Sequence, residues 1–324
     1  MLIDEFSSFE NNYLFEKKYD DFSYWVYSRY AIFSYLTKLQ EGIEMSSQKM
    51  TDGLICGIKN MIINSLRYRH KIKKIGHRDL LILNHERRVL KDGYYRCIYT
   101  EQIEEHYPNS VMLERPYFYK HLKPIQTERI FYSDCVELES LIYGFLECKL
   151  KAKKYRKAKK FFEKEMSIVA PEFQHMVKQE VSVEALSEML TRLYLLYCVK
   201  RKKFEKIIQK IQPKVILEVV SYNLDCMIFN EIAYEKKINT IELQHGVMSG
   251  SIAYYYPQNV LVKQFPQKIF LFSDYWKNCI SAPLEDKNVI SVGYPYFEEQ
   301  VKKYQKINSD KTVSYTHLTL PTIR

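Results

Sequence analysis

The sequence predicts an α/β fold, a doubly wound parallel sheet with helices before it and a helical insertion within it. Three observations predict it. Short, nearly continuous apolar runs recur between residues 79 and 292, each followed by polar residues, as in strands covered on both faces. Helical patterns alternate with these runs over short connections, and such βαβ units impose parallel strands and right-handed crossovers. The composition, 46% hydrophobic and 27% charged over 324 residues, is that of a packed globular chain and excludes disordered, collagen-like and low-complexity classes.

In FSYWVYSRYAIFSYLTKL, Trp25, Ile32, Leu36 and Leu39 recur at near-helical spacing, with Arg29 in the intervening turn. A second helix is expected from Thr51, whose hydroxyl suits an N-cap, to about Leu66. This N-terminal helical segment spans residues 1–75, and Gly76 marks its boundary. DLLILN (79–84), SVMLE (110–114) and RIFYS (129–133) then predict strands. Residues 136–211 read as a helical insertion whose few breakers are Gly144 and Pro171. KVILEVVS (214–221), the helix NLDCMIFNEIAYEKK (223–237) and the strand TIELQ (240–244) form a βαβ unit. KIFLFS (268–273), a helix about Tyr275–Ile280 and NVISV (288–292) continue the alternation. The sheet domain is placed at 76–265, with the last strands and the start of a linker at 266–312. The final segment VSYTHLTLPTIR (313–324) departs in composition from everything before it and is expected to be a non-native tail.

Lys and Arg number 49 against 39 Asp and Glu, a formal charge of +10. Glycine is scarce, at 9 residues, and neither G-x-G-x-x-G nor G-x-x-x-x-G-K-[ST] occurs, which excludes the common glycine-rich nucleotide loops. The seven cysteines stand singly without a C-x-x-C pair, so reduced thiols and a cytoplasmic location are expected and structural zinc is not. There is no basic-then-apolar leader and no run of 18 apolar residues. Two basic stretches, Lys149–Lys160 and Lys200–Lys210, are either solvated faces or contacts for anionic lipid headgroups. No nucleic-acid motif accompanies them, and nucleic acid is not an expected partner.

Ligands of open α/β sheets bind outside the carboxyl ends of the strands. Those ends carry Asn84-His85-Glu86-Arg87-Arg88, Glu114-Arg115, Ser133-Asp134, Ser221-Tyr222-Asn223 and Gln244-His245-Gly246. The segment ELQHGVMSGSIAYYYP (242–257) is the most informative, because it sets a histidine after a buried strand and spends Gly246 and Gly250 within five residues. Glycines so placed imply positive φ or close approach of backbone to a ligand. His245 has the side chain suited to take a proton from an attacking hydroxyl near pH 7. Its alternative is a hydrogen-bonded structural residue in a glycine-shaped turn. Tyr254-Tyr255-Tyr256 either stack on a sugar or base or belong to a packed loop.

At PKVILEVVSYN, EIAYEKKINTIELQHGVMSG, AYYYP, FLFSDYWKN and VGYPYFEE the chain resembles bacterial capsule and lipopolysaccharide biosynthesis proteins of the GT-B glycosyltransferase type. These are distantly similar to CDP-glycerol glycerophosphotransferases. The resemblance covers roughly residues 76–300, and Tyr24–Leu36 looks like the aromatic-Arg helix that precedes the sheet in such proteins. It implies a Rossmann-like, acceptor-side N-terminal half of a GT-B architecture whose C-terminal, donor-binding domain is missing from the 324 residues. It places His245 at the position of a histidine acting on the acceptor, Gly246 where substrate approaches the backbone, and Tyr294-Pro295 in the connection to a second domain. Gln244 joins the substrate-binding set beside His245, and Asn84, Arg87, Arg88, Ser221 and Tyr222 join it by strand-end position alone. The implied partners are a nucleotide-sugar donor and a glycan or lipid-linked acceptor, with no metal and no cofactor beyond the activated donor. Transfer of an alditol phosphate from a CDP-alditol, and a non-catalytic basic module at a membrane surface or on nucleic acid, are the alternatives.

Overall fold

The computed structural model describes residues 2–43, 51–85, 88–117 and 120–307. Helices α1 (Leu2–Phe9), α2 (Asn12–Glu16), α3 (Tyr24–Gln40) and α4 (Thr51–Lys74) come first. Strand β1 (Leu80–Asn84) leads to a hairpin of β2 (Val89–Lys91) and β3 (Tyr94–Arg96), then α5 (Glu101–His106), β4 (Ser110–Glu114) and β5 (Ile130–Tyr132). The insertion consists of α6 (Asp134–Lys149), α7 (Lys153–Val177) and α8 (Val183–Ile211). After it come β6 (Val215–Glu218), α9 (Leu224–Lys236), β7 (Asn239–Leu243), β8 (Lys268–Leu271), β9 (Val289–Ser291) and α10 (Pro295–Ile307).

The main sheet has seven strands in the order β5-β4-β1-β6-β7-β8-β9, every neighbouring pair parallel. The chain works outward from β1 to one edge and then from β6 to the other, so the switch point lies between β1 and β6. This is the Rossmann-like α/β arrangement that the strand-helix alternation predicts. The apolar runs make such strands because successive side chains enter opposite layers. Leu81, Leu83, Val111, Leu113, Ile216 and Ile269 enter one core with residues of α3, α7, α8 and α9. Ile82, Met112, Ile130 and Leu217 enter the other, against Tyr68 of α4, Ile103 of α5 and Ile125.

Covering of the two faces is unequal. The polypeptide between β6 and β9 stays on the first face, where Phe229, Ile232, Met248, Ile252 and Ile269 are buried together. On the second face of β7 and β8, Ile241, Leu243 and Phe270 are only half-buried. α5 and α10 stand at its margin, linked through Glu299, which accepts from Lys91 Nζ at 2.7 Å and Gln102 Nε2 at 3.0 Å. Strands expected to be sandwiched throughout are therefore open along one half of one face.

Several local expectations change. Pro171 lies inside α7 and does not end it. The second N-terminal helix continues to Lys74, beyond Leu66. The helix expected about Tyr275–Ile280 is a 3-10 segment, Asp274–Cys279. The β2–β3 hairpin turns at Asp92 (φ 52°) and Gly93 (φ 81°), the Asp-Gly pair that such turns favour. The Thr51 side chain, Arg87 and residues 308–324, including the whole of 313–324, lie outside the described residues. No helix among the described residues is long and apolar enough to cross a membrane.

Helices α1, α2 and α3 share the main core. Phe6, Trp25 and Phe173 stack on one another, with ring centroids 6.1–6.4 Å apart. Arg29 of α3 is enclosed; it donates to Glu10 Oε1 at 2.7 Å and to the carbonyls of Ile252 and Tyr255, each at 2.7 Å. An N-terminal arginine thus braces the loop that follows β7.

Candidate functional site

His245 stands two residues past β7 and His85 one residue past β1, so the two imidazoles meet over the carboxyl end of β6, with ring centroids 6.1 Å apart. Tyr222, in the turn between β6 and α9, places its hydroxyl 3.5 Å from His245 Nε2, and Tyr30 of α3 packs on the Tyr222 ring at 4.7 Å. Tyr99 donates from its hydroxyl to the His245 carbonyl at 2.8 Å and pins the loop from the other side. His85 and His245, 160 positions apart in the chain, are brought together by the order of three strands.

Gln244 shapes this loop from within. Its amide nitrogen donates to the Gly246 carbonyl at 2.9 Å, and its amide oxygen accepts from Phe272 N–H at 2.8 Å, tying the end of β7 to that of β8. Gly250 has φ +72°, a conformation that favours glycine. Gly246 differs from the positive-φ alternative: its φ is outside that region, and a Cβ built there meets nothing within 4 Å. Open space lies over its backbone.

Asn84 and Arg88 turn into a buried network beside the loop. Arg88 is enclosed; it donates from Nε and Nη2 to Glu114 at 2.9 and 2.6 Å, to the Tyr95 carbonyl at 3.1 Å, and pairs with Glu101. Asn84 donates to Glu114 at 2.6 Å and accepts from Thr100. His121 completes the network, with Nε2 at 2.7 Å from Asp134 and Nδ1 at 3.3 Å from Glu114. Burial alone lowers the pKa of His121, but the two carboxylates more than offset this and leave it raised. These side chains stabilise the rim and have spent their polar atoms on one another. Of the strand-end residues, Tyr222 reaches His245, whereas Ser221 is buried and its N–H donates to Glu242 at 3.1 Å.

Glu242 and Glu218 are in-register neighbours on β7 and β6, and both are fully buried. Glu242 also accepts from Tyr254 Oη at 2.8 Å, and Glu218 from Asn230 Nδ2 at 2.8 Å. Burial raises Glu242 to about 7, while burial and then the charge of Glu242 raise Glu218 to about 8. Tyr254 is thereby fixed in a packed loop, as is Tyr256, whose ring lies 4.3 Å from the Arg29 guanidinium. Beneath the turn, Lys200 is buried between Glu137 (2.5 Å) and Asp225 (2.6 Å) at the start of α9. Part of the second basic stretch is therefore an internal ion-pair system.

Two cavities flank the histidines. At the switch point a cavity of about 40 Å³ is lined by Asn84, His85, Arg115, Asn223 and Asp225, among others, space for water-sized molecules. A second, of about 600 Å³, lies on the open face of β7 and β8 and is lined by Tyr99, Ile103, Leu243, Gln244, Phe270 and Tyr294, among others. The sequence pattern points to His245, whereas His85 lies in a strand-end cluster with no glycines to mark it and Tyr99 follows no predicted strand run. The available signal for Glu218 and Glu242 was a lone acid inside each of two apolar strand runs. Among the described residues, no group of three or more His, Cys, Asp or Glu side chains is arranged to hold a metal ion. Compared with protein-family models, curated proteins and solved structures, the chain matches none.

Proposed function

We propose that this chain forms the acceptor side of a glycosyltransferase of bacterial surface-polysaccharide biosynthesis, with His245 as the general base. The observation that supports this reading is the setting of His245: past a parallel strand on the carboxyl edge of the sheet, 6.1 Å from a second imidazole and bordered by the Tyr222 hydroxyl. Ligands of such sheets bind at that edge. Sugar transfer needs a base there, because the acceptor hydroxyl must lose its proton as its oxygen bonds to the anomeric carbon. The bond from that carbon to the nucleotide's diphosphate breaks, the diphosphate keeps the electron pair, and the imidazole takes the proton. Tyr99 and Gln244 hold the loop that presents His245, and the open space above Gly246 admits substrate close to the backbone.

The partners on this reading are a nucleotide-sugar donor and a glycan or lipid-linked acceptor, met in the cytoplasm, with peripheral membrane contact through the basic stretch Lys149–Lys160. No metal or cofactor beyond the activated donor is called for. An acceptor half is not expected to transfer by itself, so the test is an assay of the longer parent protein, with the donor-binding domain that the resemblance implies, against nucleotide-sugar and CDP-alditol donors. His245→Ala is expected to lower kcat/KM by about 10²–10⁴-fold, the usual worth of a positioned acid-base group. Transfer at the wild-type rate by that variant removes the assignment. Release of CMP with an alditol phosphate on the product reassigns the transferred group.

A further inference from the structure

We infer that the cavity on the open face of β7 and β8 is a binding site for an aliphatic chain, the tail of an amphiphile. Its volume, about 600 Å³, is within the range of small-molecule sites. No Lys, Arg, Asp or Glu side chain lines it. Ile98, Ile103, Leu243, Phe270, Phe272 and Val292 supply most of its wall. Leu243 and Phe270 belong to the half of the sheet face that is open among the described residues, and Ile103 faces it from α5 at the margin.

Four of the six polar side chains at the wall are engaged within the protein, Tyr107 and Tyr294 being the other two. Gln244 uses its amide oxygen and nitrogen on backbone, the Gln102 amide nitrogen is held by Glu299, and His106 Nδ1 faces the Gln102 carbonyl at 2.7 Å. The Tyr99 hydroxyl is held by the His245 carbonyl. A nucleobase, sugar or phosphate placed here would set most of its polar edges against carbon, and each unmet group costs free energy. A hydrocarbon chain meets no such cost and gains by leaving water. The rim continues the apolar surface outward, since Tyr107 and Val292 line the cavity and are 43% and 47% exposed. At the inner end, Tyr99 and Gln244 separate the cavity from His245. On the transferase reading, the aliphatic chain of an acceptor would be anchored on the far side of Tyr99 and Gln244 from His245; this consequence rests on that reading, whereas the binding site does not.

The experiment uses the whole chain and N-phenyl-1-naphthylamine, an uncharged fluorescent probe of apolar sites, displaced by farnesol. Farnesol is expected to displace the probe, and UDP and maltose are not. Val292→Glu and Tyr107→Asp, both at exposed positions, should each weaken farnesol binding about tenfold or more by setting a charge at an apolar mouth. Their Tm should stay unchanged. Leu150→Asp, at a remote position 71% exposed, should bind farnesol as the wild type does. Absence of displacement, displacement by UDP or maltose, or undiminished binding in both rim variants would overturn the site. A second arm compares octyl with methyl glycosides for binding in wild type and His245→Ala. Equal affinities for the two glycosides sink the link to the acceptor and leave the His245 assignment to be judged by the transfer assay.

Discussion

At the scale of single residues, the two glycines after His245 do different work, and substitution separates them. Gly250 is held at φ +72°, so Gly250→Ala should destabilise by roughly 1–2 kcal/mol, the cost of an L side chain in left-handed backbone. Gly246 has ordinary φ and open space where a Cβ would go. Gly246→Ala should therefore leave stability unchanged or raise it by about 0.4–1 kcal/mol, because alanine restricts the unfolded chain. If the open space admits substrate, the same variant loses transfer activity while its urea midpoint holds or rises. A drop in stability for Gly246→Ala, or full activity, would show that the glycine is there for neither reason. His245 was legible because a strand, a histidine and two scarce glycines are contiguous in the chain. His85, Tyr99 and Tyr222 were not legible as partners, because their convergence depends on which strands are neighbours, and a sequence records that order only indirectly. Arg88 and Asn84 illustrate the converse: strand-end position suggests a cleft wall, and only the neighbouring Glu114, Glu101 and Thr100 reveal that they are bound inward.

Between elements, the most consequential contact is the one from α3 to the loop after β7. Arg29 and Glu10 form an enclosed pair, 2.5 Å apart, and Arg29 also donates to two carbonyls of that loop. Removing one member of such a pair leaves a buried, uncompensated charge, so Arg29→Met should cost about 3–5 kcal/mol. Glu10→Gln/Arg29→Met should recover part of that loss, and urea unfolding of the two singles and the double gives the coupling. Strict additivity would mean that the pair does not act as a unit. The adjacent strands β6 and β7 carry the opposite situation, two buried carboxyls side by side with no cation paired to either among the described residues. Glu218→Gln should be near neutral in stability at pH 6 and stabilising relative to wild type at pH 9, where the wild-type pair must ionise in the core. Equal effects at both pH values would place the proton elsewhere. Elements of this kind divide sharply in legibility. The strands were readable because apolar runs bounded by polar residues have few other uses, whereas Pro171 misled because tertiary packing carries α7 through it. The hairpin went unread although Asp92-Gly93 was its signal, since its strands are only three residues each. Lys200 read as surface because charge runs usually are, and the acids that neutralise it lie on α6 and α9.

For the whole molecule, the buried ionisable groups fix the sign of the pH dependence. Glu218 and Glu242 keep their protons in the folded state to about 8 and about 7, and burial also raises Glu137 and Glu231. In the unfolded chain these groups ionise near pH 4.5. Between those limits the folded state binds more protons than the unfolded one, so stability falls as pH rises. His121 acts in the same direction. Its folded pKa is raised above 6.5, so its contribution is fully present below pH 6.5 and is lost as pH rises through the folded value. Opposing groups act elsewhere on the scale. Asp225, Glu165 and Glu188 have lowered pKa values, so their contributions are present above roughly pH 4–4.5 and are lost as pH falls through the folded values. The sum is a protein most stable near about pH 5 that loses stability steadily to pH 8, an optimum on the acid side of neutrality. Urea midpoints at pH 5, 6.5 and 8 measure it, and Glu218→Gln/Glu242→Gln should flatten the decline without removing the part due to His121. A midpoint at pH 8 equal to or above that at pH 5 would mean that these carboxyls ionise in place, with water or a rearranged Tyr254 and Ser221 meeting their charge. The loops fastened to Glu242 include the turn that carries Tyr222 to His245, so the same titration would then register at the site as well as in the core.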